Sequence, residues 1–104
     1  MSERKTILKT LLNELETDPE QSADTDLDYI LYLCRVGCQE NAPVSPDRIY
    51  RICHAVAKQY GLYPAMRSLM KRRWGAESMR EMDLPSLQDL FFYMRGLERL
   101  KKRF

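Results

Sequence analysis

Apolar residues recur along this chain at helical spacing almost from end to end, and no segment shows the period-two alternation of a half-buried strand. Over residues 2–16, Ile7, Leu8, Leu11, Leu12 and Leu15 fall on one stripe. Ser2 is placed to cap that helix, and Pro19 ends it by disfavouring helical geometry in the residue before it. A polar, acidic linker at 17–26 follows. The next helix is expected to run to about Glu40. Leu27, Ile30, Leu31, Cys34 and Cys38 line one face, and Tyr29, Tyr32, Leu33 and Val36 line another. A helix apolar on most sides is expected at the centre of its bundle, with Gly37 admitting a close neighbour.

Asn41, Ala42 and Pro43 break the chain, and Ser45-Pro46-Asp47 restarts it. That triplet combines an N-cap serine, a proline at the first helical position and an acid against the helix dipole. The third helix points Ile49, Ile52, Cys53, Val56 and Tyr60 inward and Arg48, Arg51 and Lys58 outward. It stops at Gly61, where a left-handed backbone is needed. Pro64 starts a fourth helix that buries Met66, Leu69 and Met70 and exposes Arg67, Lys71 and Arg72, with Arg73 nearby; Trp74-Gly75 ends it. Residues 76–82 read as a turn or a single helical coil. Asp83 is a good N-cap for a long last helix with Pro85 in its first turn and a seam of Leu87, Leu90, Phe91, Met94, Leu97 and Leu100. The pattern predicts an all-α fold: one domain over 1–104, a compact bundle of about five helices with a helix-turn-helix-like hairpin at 46–74.

Charge adds a division that hydropathy does not show. The net charge of +2 hides four Lys/Arg against ten Asp/Glu in residues 1–47, and thirteen against five in residues 48–104. An acidic first half and a basic second half imply an anionic partner for the latter, or one half docking on the other. The cations expected to face outward as a binding surface are Arg51, Lys58, Arg67, Lys71, Arg72 and Arg73, with Lys101 and Lys102 from the basic tail. Ala57 and Gly61 have the spacing of a DNA-binding helix-turn-helix, which would send the fourth helix into a major groove. Arg67, however, stands where such motifs bury a β-branched residue. Tyr60, Tyr63 and Trp74 are placed to stack on unpaired bases or, more ordinarily, to cover a core edge.

Other chemistry is thinner. Cys34, Cys38, Cys53 and His54 match no zinc spacing, and adjacent Cys53 and His54 point about 100° apart on a helix, so no metal or other cofactor is expected. Asp24, Asp26 and Asp28 lack the glycine and terminal glutamate of a calcium loop. With no paired carboxylates in a predicted cleft, no oriented Cys–His pair and no Gly-rich loop, the expectation is a protein that is not an enzyme. Phe92 and Tyr93, lying beside a complete seam, suggest a partner interface, either a homodimer through the last helix or a docking face for a host protein. The charge-interrupted N-terminus and three unpaired cysteines predict a cytoplasmic protein with no membrane contact.

Three stretches carry a resemblance: AKQYGL (57–62), MRSLMKRRWGAES (66–78) and MREMDLPSLQDL (79–90). Together they look like the small GemA-type regulatory proteins of Mu-like phages, over residues 49–97. Tyr60 stands where that family usually has leucine, and the acidic first half has no counterpart. The resemblance implies a phage regulator of DNA transactions, or of the host proteins that run them, without enzymatic activity, and it carries over no functional residue.

Overall fold

The computed structural model describes residues 27–103, together with Lys9 and Leu12. The helix expected over 2–16 otherwise lies outside the described residues; Lys9 and Leu12 are helical, and Leu12 is buried in the core. Four α-helices follow in order: α1 (Leu27–Gly37), α2 (Pro46–Tyr60), α3 (Tyr63–Trp74) and α4 (Leu84–Arg103), with a single 3₁₀ turn at Met79–Glu81 between the last two. There is no strand among the described residues. The radius of gyration, 12.6 Å, is close to the ~13 Å of a compact chain of this length.

The helix boundaries follow from local chemistry. Pro46 occupies the first turn of α2, where its missing N–H costs nothing. Ser45 sits in the cap position with extended backbone, although its side chain makes no cap hydrogen bond. Gly61 (φ 67°) and Gly75 (φ 62°) close α2 and α3 in the left-handed region that side chains with a Cβ resist. The Gly75 and Ala76 amides donate to the Lys71 and Met70 carbonyls, which α3 would otherwise leave open. At the start of α4, the Ser86 amide donates to Asp83 Oδ1 at 3.1 Å, the N-cap expected there.

The centre of the bundle is α4. Leu87, Leu90, Phe91, Met94, Leu97 and Leu100 are all buried against α1 and α2, as the seam requires. This corrects the central place expected for α1. That helix ends at Gly37, short of Glu40, and buries only the face of Ile30, Leu31 and Cys34. Tyr29, Tyr32 and Val36 face solvent at 45%, 60% and 60% exposure. A close approach occurs at Gly96, where an added Cβ would stand 2.5 Å from Cys34 Sγ.

Of the partner interface expected at Phe92 and Tyr93, the Tyr93 side chain is not on the surface. Tyr93 is fully buried, and its hydroxyl donates to the Leu27 carbonyl at the start of α1. Phe92 is half-buried against the core, with the Arg35 guanidinium over its ring. The apolar surplus beside the seam is consumed by α1. Arg35 also pairs with Asp89, and Gln88 donates to the Pro43 carbonyl, so α1 and the segment after it are tied to α4 by further polar contacts.

Candidate functional site

Helix α3 is buried along Ala65, Met66, Ser68, Leu69 and Met70, which leaves a narrow outward strip rather than a free face. Arg67 and Lys71 stand on that strip one turn apart, both exposed. On α2, Arg51, His54 and Lys58 fall at i, i+3 and i+7, also exposed and therefore on one stripe. The two-residue connection at Gly61 and Leu62 folds the start of α3 back along α2. As a result the Tyr63 hydroxyl comes to 3.3 Å from His54 Nδ1, with ring centroids 5.8 Å apart.

Between the two strips lies a groove of about 590 Å³. Its walls are Tyr50 and His54 from α2 and Tyr63 and Arg67 from α3. Met66 and Met70 contribute thioethers, and the turn from Glu77 to Arg80 closes one end. The Ser78 hydroxyl accepts from the Arg80 amide and fixes that turn. The groove was not foreseen from sequence, although its aromatic wall is written as Tyr50 and His54 at i, i+4 beside the Arg51–Lys58 stripe.

The remaining expected cations are distributed differently. Arg73 is not part of the outward surface. It pairs with Asp28 at 2.5 Å and lies over the Trp74 ring at 5.8 Å, because α1 brings an N-terminal carboxylate against the end of α3. Arg72 is half-buried. Lys102 lines a separate depression with residues 37–40, Arg95 and Arg99, so the tail with Lys101 and Lys102 does not join the α2–α3 groove. There Arg95 is held by Glu40 at 2.8 Å and by Glu98 at 2.9 Å. Of the aromatics considered for stacking, Trp74 packs edge-on to Tyr93 at 6.2 Å and Tyr60 packs on the core, leaving Tyr63 in the groove.

Among the described residues no group of His, Cys, Asp and Glu has the makings of a metal site. Burial pushes the Cys53 thiol up to about 12, with Arg95 opposing weakly, so it stays protonated and unreactive at neutral pH. Cys34 is also buried, and Cys38 half-buried. No described helix is long and apolar enough to cross a membrane. Compared with protein families, curated proteins and solved structures, the chain finds no match.

Proposed function

We propose that the protein is a small non-enzymatic regulatory module, of phage or mobile-element origin, that binds nucleic acid through the exposed cations of α2 and α3. One observation carries this reading. Residues 48–82 hold eight Lys/Arg against two acids. Four of the eight, Arg51, Lys58, Arg67 and Lys71, are exposed on the two strips beside the groove, in no ion pair with a described residue. Polyanions bind such surfaces by releasing condensed counterions, which makes affinity fall steeply with salt. The origin rests on the resemblance to GemA-type regulators, which likewise suggests no catalysis.

The test is fluorescence anisotropy with labelled single-stranded and duplex DNA across a salt series. Four phosphate contacts predict a log–log slope of about −3 to −4. Arg67→Glu with Lys71→Glu is expected to abolish binding with little change in melting temperature, since both side chains are solvent-exposed. Absence of any polynucleotide binding at low salt would refute the reading. A stoichiometric host protein retained after nuclease treatment would then favour an adaptor or inhibitor.

A further inference from the structure

We infer that the α2–α3 groove is a base-binding slot, so that the nucleic acid this protein takes is single-stranded and enters with one unstacked base between Tyr50, His54 and Tyr63. The inference rests on the nucleic-acid reading above and deepens it. Charge and lining chemistry separate two roles. Inside the groove, Glu77 offsets one of the two cations, Arg67 and Arg80, and apart from the Ser78 hydroxyl the rest of the lining is aromatic and thioether. That composition suits a flat, polarisable, uncharged ring and not a phosphate cluster. Outside the groove, Arg51 and Lys58 lie one turn to either side of His54, and Lys71 lies one turn beyond Arg67. Those cations track a backbone passing over the opening.

Geometry favours the same occupant over a duplex. A helix that reads a major groove projects a broad exposed face into it, whereas the fully exposed positions of α3 are Pro64, Arg67 and Lys71, a single strip. A volume of about 590 Å³ lies within the range of pockets that hold small ligands. Both aromatic walls are held in place. Tyr50 packs on the core from α2, and Tyr63, also packed on the core, is anchored at the first residue of α3 by its contact with His54. A base entering there meets surfaces that are already ordered.

The experiment compares three labelled probes of equal length at one low salt concentration: an oligodeoxynucleotide, the same strand with abasic sites throughout its centre, and its duplex. Stacking of a base on such walls is expected to make the intact strand about tenfold to a hundredfold tighter than the abasic strand. Tyr63→Leu should remove most of that advantage and Tyr63→Phe should keep it, with circular dichroism confirming that both variants fold. Methyl resonances of ¹³C-labelled Met66 and Met70 should shift with the intact strand and stay put with the abasic one, while those of Met94, buried in α4, remain fixed. Equal affinity for all three probes with static Met66 and Met70 would overturn the slot and leave the electrostatic reading standing. No binding of any probe would overturn both.

Discussion

At the scale of single residues, the tightest constraint is the crossing of α1 over α4. Gly96 lies in a helix interior, where glycine is ordinarily about 0.5–1 kcal/mol worse than alanine. Here the order should invert. A Cβ at 96 would stand 2.5 Å from Cys34 Sγ and 3.3 Å from Cys34 Cβ, and Cys34 is fully buried, so neither atom can swing away. Overpacking of this kind costs about 1–3 kcal/mol. Gly96→Ala is therefore expected to destabilise the protein by about 1–2 kcal/mol in urea denaturation. Adding Cys34→Ala should recover part of the loss, giving a favourable coupling in the double-mutant cycle. The sequence shows Gly96 inside a helical pattern, but nothing local tells that it faces a neighbour. That depends on where two helices cross. Tyr93 is legible to the same degree: it sits at the edge of a visible seam, and its fate was decided by the Leu27 carbonyl arriving from 66 positions away.

At the scale of elements, boundaries were far more readable than burial. Proline and glycine act on their own backbone, so Pro46, Gly61, Pro64 and Gly75 placed the ends of α2 and α3 without reference to the rest of the fold. The rank of α1 was not readable, because tyrosines at 29 and 32 count as apolar in a pattern while their hydroxyls tolerate water. The cap of α4 yields a prediction at this level. Accepting hydrogen bonds from Ser86, side chain first and then amide, holds the Asp83 carboxyl below the usual carboxylate range. A depressed folded-state value means stability that is fully present above the unfolded value near pH 4 and is lost as pH falls through the folded one. Thermal melts should show Asp83→Asn, which keeps a capping oxygen, losing this acid-side dependence while staying close to the parent at neutral pH. Asp83→Ala should melt lower at neutral pH, with the difference shrinking as the pH is brought below the carboxylate range.

For the whole molecule, the charge division along the chain is only partly preserved in space. Asp28 and Glu40, from the acidic half, are drawn onto Arg73 and Arg95 of the basic half, so some of the apparent surplus is spent in holding α1 to the bundle. What remains outward is concentrated on α2 and α3, and the groove between them exists because the chain doubles back twice. Both reversals pass through a residue whose backbone has the opposite hand to its neighbours, Gly61 before α3 and Gly75 after it, and a Cβ at either would meet nothing within 4 Å. Space is open at both positions, and only chirality closes it. A mirror-image alanine introduced at 61 and 75 by chemical synthesis would find its preferred basin already occupied. Each is expected to raise stability by about 0.4–1 kcal/mol in chemical denaturation through a stiffer unfolded chain, whereas the ordinary enantiomer should lower it. The walls of the groove would then be held by stereochemistry instead of by glycine's tolerance.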